Sequence, residues 1–197
     1  MPMDVWLIVL GYLVGSVPFA YMVAKRVAGV DVRAVGSGSV GATNVLRATR
    51  PAVGAAVIAL DVAKGVLIVW LAERLGADDP TLAVVGVATI IGHVYPVWLR
   101  FHGGKGVATA GGVFGVLSPG ATAVAAAAFL AVVWRTRYVS IGSLAASVLL
   151  VPLLYVMGAP ASTLMAASAT SGLIIYRHRG NLARLGEGTE RRLGRES

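Results

Sequence analysis

Apolar stretches about as long as a bilayer is thick recur along the chain, at 5–24, 52–72, 81–99, 107–134, 139–157 and 161–176. Most reach or approach the ~20 residues that carry a helix across ~30 Å of hydrocarbon. Between them lie short stretches of Gly, Pro and charged residues. The run 107–134 holds 28 residues and is broken by Ser118-Pro119-Gly120, leaving pieces of 11 and 14 residues. At ~1.5 Å per residue the first piece is only ~16 Å long, so the pair either crosses twice through a thin or protein-buried region or dips in and returns. The pattern predicts an all-α integral membrane protein of seven hydrophobic helices, the short pair included, folded as one domain over 1–197.

Charge fixes the expected sidedness. If the broken pair returns to its starting side, one face holds Lys25, Arg26, Arg33, Arg47, Arg50, Arg100, Lys105, Arg135, Arg137, Arg177, Arg179, Arg184, Arg191, Arg192 and Arg195, which is 15 of the 17 Lys and Arg. Arg74 sits in the acidic turn "ERLGADDP" and Lys64 inside a span. A single crossing would strand the eight Arg from Arg135 onward on the outer side, against the bias that keeps basic loops cytoplasmic. The expected topology has the N-terminus outside and the C-terminus in the cytoplasm.

Composition agrees: 57% of residues are hydrophobic and 13% charged, against roughly one-quarter charged in soluble domains. The net charge of +8 then reads as cytoplasmic loops rather than nucleic-acid binding. The leader "MPMDV" contains Asp4 and no Lys or Arg, so the first run reads as a retained helix and not a cleaved export signal. With no cysteine, disulfides, thiol nucleophiles and thiolate metal sites are excluded. Small residues in spans such as "AVAAAAFLAVV" let helices approach closely.

Candidate chemistry gathers in three polar clusters on the inferred cytoplasmic side. "GSGSVGATN" spells G-x-G-x-x-G at Gly36, Gly38 and Gly41, but lies between membrane spans and not in the βαβ unit that a dinucleotide turn requires. Its glycines permit turns in which backbone N–H groups face an anion, and Ser37, Thr43, Asn44 and Arg47 add polar and cationic groups suited to phosphate oxygens. "GHVYPVWLRFHGGKGVATAGG" places Gly103, Gly104, Lys105 and Gly106 at the entrance of a short helix, where an ammonium and a helix N-terminus together favour an anion. It is not a nucleotide P-loop, which would need Gly at Leu99 and Ser or Thr at Gly106. The tail "RHRGNLARLGEGTERR" supplies His178, Asn181, Arg184, Glu187 and Glu190, with Arg177, Asn181 and Arg184 at helical spacing.

The remaining polar residues read as structural. His93 reads as a hydrogen-bonded interfacial histidine, and no His pair has zinc-site spacing, so no metal is expected. No Asp lies four or five residues beyond His93, His102 or His178, so an H-x-x-x-x-D acyltransferase dyad is lacking. Asp61 and Lys64, at i and i+3 inside a span, neutralise one another as an ion pair; burying either alone would cost ~2.5 to 3.5 kcal/mol. Proton or ion coupling in a transporter is the alternative reading of that pair.

At the three clusters the chain closely resembles the acyl-phosphate-dependent glycerol-3-phosphate acyltransferase family, the PlsY type. The resemblance spans almost the full length and rests on "GSGSVGATNVLR", "GHVYPVWLRFHGGKGVAT" and "RHRGNLARL". Ser39 stands where the family usually has Asn, and His102 where Lys is frequent. The resemblance implies transfer of a fatty acyl group from acyl phosphate to the 1-hydroxyl of sn-glycerol 3-phosphate, without a cofactor and without nucleic acid, at the cytoplasmic face of the cell (inner) membrane among its lipids.

On that basis Ser37, Thr43, Asn44 and the amides of Gly36 to Gly41 are expected to hold the donor phosphate, with Lys105 and its flanking glycines balancing charge. Arg47, His178 and Asn181 orient glycerol 3-phosphate, and His93, Arg184 and Glu190 support them. Either a substrate phosphate oxygen or His178 accepts the hydroxyl proton. A transporter of a phosphorylated small molecule is the competing function, although the outer loops carry no matching cationic cluster. The sequence leaves the oligomeric state open.

Overall fold

The structure, a computed structural model, describes residues 3–194. Arg195 of the basic tail and the first two residues of the leader lie outside that range. The described residues form ten α-helices and no strand: α1 (Met3–Gly15), α2 (Phe19–Ala28), α3 (Ala42–Ala48), α4 (Pro51–Arg74), α5 (Asp79–Val94), α6 (Val107–Leu117), α7 (Pro119–Thr136), α8 (Val139–Val156), α9 (Ala161–Arg177) and α10 (Arg179–Gly186). The stretches 3–28, 51–74, 79–99, 119–136 and 139–156 are long and apolar enough to cross a membrane. Two compact units divide the chain, one running to Leu117 and the other beginning at Ser118.

In the first unit α1 packs on α5 and α4 on α6. These contacts are backbone to backbone. A Cβ at Gly15 of the Gly11-x-x-x-Gly15 pair would collide with the Thr89 carbonyl, and one at Gly92 with that of Tyr12. Gly65 and Gly112 play the same part between α4 and α6, against Thr109 and Val62. Without a hydrophobic driving force between helices in lipid, such close approach is what holds them. Gly15→Val should therefore lower the detergent melting temperature by several degrees, whereas Gly111→Val, where a Cβ meets open space, should not.

The first apolar run is not one helix, as expected, but two. Pro18 has no N–H to donate and its ring clashes with the preceding turn, so α1 stops at Gly15 and α2 starts at Phe19. The break leaves the Val17 carbonyl outside the helical ladder, where it accepts from the Phe19 amide at 3.1 Å and from Lys64 Nζ of α4 at 3.2 Å. Non-helical backbone at membrane depth is tolerated where protein groups satisfy it in this way. The short helix α6 has 11 residues and buries Thr109, Ala110, Gly112, Val113 and Phe114, the protein-buried form of a short segment.

In the second unit α7 packs on α8 and α8 on α9. The α8–α9 contact includes a hydrogen bond from Ser171 Oγ to the Ser147 carbonyl at 2.6 Å. That polar seam explains why α9, the seventh segment, tolerates its Ser and Thr content. After α9, the chain turns at His178 into α10, and the tail folds back so that the Leu193 amide donates to the Arg137 carbonyl at 2.7 Å.

Candidate active site

The loop between α2 and α3 is anchored before it is shaped. Val32 and Val40 are buried with Ala20, Ala24, Val45, Val53 and Val57, which pins both ends of the glycine-rich stretch. Asp31 and Arg33 form an exposed ion pair at 2.7 Å, and that guanidinium holds the Asp31 carboxyl down at about 2. Arg33 also lies over the Tyr21 ring, 4.6 Å from its centroid. Gly36 and Gly38 have φ of 61° and 67°, a left-handed backbone that other residues adopt only with strain.

Asn44 sets the shape of this loop. Its side chain is buried, and its Nδ2 donates to the carbonyls of Val32, Val35 and Ser39 at 2.8, 3.1 and 3.1 Å. Its Oδ1 accepts from the Ser37 amide at 3.1 Å. The Asn44 amide is thus hydrogen-bonded to the loop's own backbone and shapes it. The Ser37 amide donates to Asn44 and that of Gly38 to the Val35 carbonyl at 3.0 Å. Gly36, Ser37 and Gly38 are exposed, while Gly41 and Thr43 at the start of α3 and Arg47 in its last turn are half-buried.

The lysine turn is folded onto the end of α5. The amides of Gly103 and Gly104 donate to the carbonyls of Val94 and His93 at 3.1 and 3.2 Å, satisfying the helix terminus. A Cβ at either glycine would collide with His93, through its carbonyl at Gly103 and its ring at Gly104. These glycines therefore supply room for the end of α5 beneath the turn. Gly106, at φ 89°, turns the chain into α6 and leaves Lys105 half-buried between them. A Cβ at Gly104 would also lie 3.0 Å from the Val40 carbonyl, so the glycine-rich loop and the lysine turn adjoin within the first unit. His102 is exposed, its Nδ1 2.6 Å from the Arg100 carbonyl. Arg100 and Phe101 hold φ of 50° and 62°, costly for residues with side chains.

Asp61 and Lys64 form the expected ion pair, at 2.8 Å and almost fully buried. His93 joins it, with Nδ1 at 2.9 Å from Lys64 Nζ and 3.4 Å from Asp61 Oδ1. The meeting of His93 with the pair is not visible in the sequence, where 29 residues separate it from Lys64. The three line one side of a small pocket of about 10 Å³, whose other walls include the α1–α2 break and Gly103 and Gly104 of the lysine turn.

In the second unit, Glu190 organises the tail. It accepts from Asn181 Nδ2 at 2.7 Å and Ser140 Oγ at 2.9 Å through Oε1, and from Arg184 Nε at 2.9 Å through Oε2. Burial works against its charge, but these donors together hold its carboxyl below the ordinary 4.5. Arg192 reinforces the fold-back by donating from Nε to the Tyr138 hydroxyl at 3.0 Å. His178 is buried at the α9–α10 corner with Nδ1 2.8 Å from the Ile174 carbonyl. A carbonyl only accepts, so Nδ1 carries the proton and Nε2 is the basic nitrogen of the neutral ring. Arg177 ends α9 while Asn181 and Arg184 lie on α10, so the single polar face expected of these three is divided at His178.

These features define a helical membrane protein whose loops present glycines, hydroxyls and cations suited to phosphate-bearing ligands. Comparison with known proteins narrows the class. A family model described as glycerol-3-phosphate acyltransferase matches residues 5–188. The glycerol-3-phosphate acyltransferase of Myxococcus xanthus is 46% identical over 94% of this chain and 97% of its own length. That of Geobacter sulfurreducens is 44% identical over 92% and 93%. Two crystal structures of PlsY (YgiH), an integral membrane glycerol 3-phosphate acyltransferase, are similar throughout. The glycerol 3-phosphate form has TM-score 0.93 at 42% identity, covering 97% of this chain and 96% of that one. The lysophosphatidic acid form has TM-score 0.90 at 41% identity, covering 97% and 95%. The chain belongs to the glycerol-3-phosphate acyltransferase family.

Proposed function

We propose that this protein transfers a fatty acyl group from acyl phosphate to the 1-hydroxyl of sn-glycerol 3-phosphate, releasing 1-acylglycerol 3-phosphate and inorganic phosphate. The observation that carries the reading is the meeting of the glycine-rich loop and the lysine turn in the first unit, beside Lys105. Both substrates bear phosphate, and only the donor has a chain that needs lipid. The reaction sits at the cytoplasmic face of the inner membrane, with the N-terminus outside, as the distribution of 15 Lys and Arg favours.

Acyl phosphate is a mixed anhydride with a good leaving group, so the protein contributes chiefly positioning and charge stabilisation. The hydroxyl oxygen attacks the acyl carbon, the carbon–oxygen bond to phosphate breaks, and the bonding electrons leave with phosphate. Exposed Ser37, half-buried Thr43 and Arg47, the amides of Gly36 and Gly41, and Lys105 are the first unit's candidates for phosphate oxygens. His178 and Asn181 are the second unit's candidates for orienting glycerol 3-phosphate. The proton passes to a phosphate oxygen. Arg184 and Glu190 support Asn181, whose amide Glu190 fixes.

Purified protein in lipid should release inorganic phosphate only when both acyl phosphate and glycerol 3-phosphate are present; donor-independent uptake into sealed vesicles would instead mark a transporter. His178→Gln tests the proton acceptor. If phosphate takes the proton, the variant keeps the parent's pH–rate profile at a reduced rate; loss of the acidic limb of that profile would assign the base to His178.

A further inference from the structure

Asp61, Lys64 and His93 form a buried polar cluster that the acyl-transfer chemistry above does not use. Three near-buried ionisable side chains inside a membrane segment are costly to keep, so what they touch is informative. A lysine ammonium has three donors and no acceptor. Lys64 Nζ is hydrogen-bonded to His93 Nδ1 at 2.9 Å and to the Val17 carbonyl at 3.2 Å, and is ion-paired with Asp61 Oδ1 at 2.8 Å. It also faces the Phe19 ring at 5.6 Å, across the same helix break. His93 Nδ1 lies nearer to the ammonium, at 2.9 Å, than to Asp61 Oδ1, at 3.4 Å; an ammonium can only donate, so this geometry has Nδ1 accepting and the ring proton on Nε2.

The Nε2 edge of that ring lies directly under Gly104 of the lysine turn, where even a methyl group would not fit. The His93 carbonyl meanwhile accepts from the Gly104 amide at 3.2 Å. His93 thus holds the turn by its backbone and by its ring, and Lys64 fixes the ring. We infer that Asp61, Lys64 and His93 are positioning residues for acyl transfer: Lys64 locks His93 as the Nε2–H tautomer, and the locked ring sets the height and direction of the turn that carries Lys105. The inference rests on the functional reading of that turn as a phosphate site. It gives the intramembrane pair a task other than ion coupling.

Two measurements test it. In the parent protein, the ¹⁵N spectrum of the His93 ring, assigned by comparison with His102→Gln and His178→Gln, should show Nδ1 without a proton and Nε2 with one. A protonated Nδ1 overturns the inference, and this readout needs neither activity nor a variant of the cluster. The second is the paired replacement Asp61→Leu with Lys64→Met, which removes both charges together and so leaves neither buried alone. It should lower the melting temperature only modestly, because the Val17 carbonyl loses the Lys64 donor but keeps the Phe19 amide at 3.1 Å, yet lose turnover on the order of 10- to 100-fold, the scale of a small misplacement at a reacting centre. Its KM should rise for the same phosphate substrate as in Lys105→Arg. A paired variant that is both stable and fully active would reduce the cluster to scaffolding and overturn the proposal. A parent that releases no phosphate from the two substrates would sink the acyltransferase reading instead, while the ring spectrum would still report whether the lock exists.

Discussion

Lys105→Ala should lower kcat/KM by on the order of 10²- to 10³-fold while leaving expression, membrane insertion and melting temperature unchanged. The separation of effects follows from how the turn is built. Gly103 and Gly104 are buried and hydrogen-bonded to the end of α5, and Gly106 takes the left-handed backbone that enters α6. None of those anchors uses the lysine side chain. What is lost is a positive charge held at a fixed place, whose worth grows as charge develops on the phosphate leaving group. Lys105→Arg should recover part of the rate only, because a planar guanidinium needs more width than a turn walled by three glycines offers. Arg47→Ala should show a loss of similar size. Steady-state assays varying each substrate in turn check this, and near-normal turnover in both alanine variants would refute the assignment of the site to the first unit's loops.

The seven apolar segments were legible because each is a local property of the chain: length, composition and the Pro or Gly that ends it. Cα-level details that depend on distant partners were not. Pro18 signals a possible break within 5–24, but whether a bilayer segment tolerates one depends on Lys64, which lies 47 residues from the carbonyl it satisfies. Asn44 was legible as a polar residue with a task, yet an amide that caps its own loop and one that faces a ligand look the same in sequence. Only the carbonyls of Val32, Val35 and Ser39 around it decide the matter. The glycines at 103 and 104 likewise read as an anion cradle, and their contact with His93 gives them a steric reason instead.

The tail illustrates the same limit and carries the largest expected effect on stability. Glu190 stood in the sequence among five nearby charges, with nothing to mark it as the one that turns inward. In the fold it gathers donors from α8, from α10 twice, and thereby ties the end of the chain to Ser140. Glu190→Gln keeps the shape but replaces one accepting oxygen with a donor, which then faces Ser140 and Asn181 or Arg184. The substitution should destabilise the second unit by about 2 to 3 kcal/mol, less than a fully buried pair would cost because Arg184 remains 40% exposed. The pH dependence has a definite sign. The folded protein holds the Glu190 carboxyl below its ordinary 4.5, so its contribution is complete above that value and is lost as pH falls through the lowered one. The difference in melting temperature between parent and Glu190→Gln should therefore be largest near neutrality and shrink on acidification below about 4.5; a difference that stayed constant down to pH ~3 would mean that the carboxylate charge is not what the tail depends on. Activity should fall with stability but not only because of it, since the Asn181 amide that Glu190 fixes would be released to turn even in molecules that remain folded.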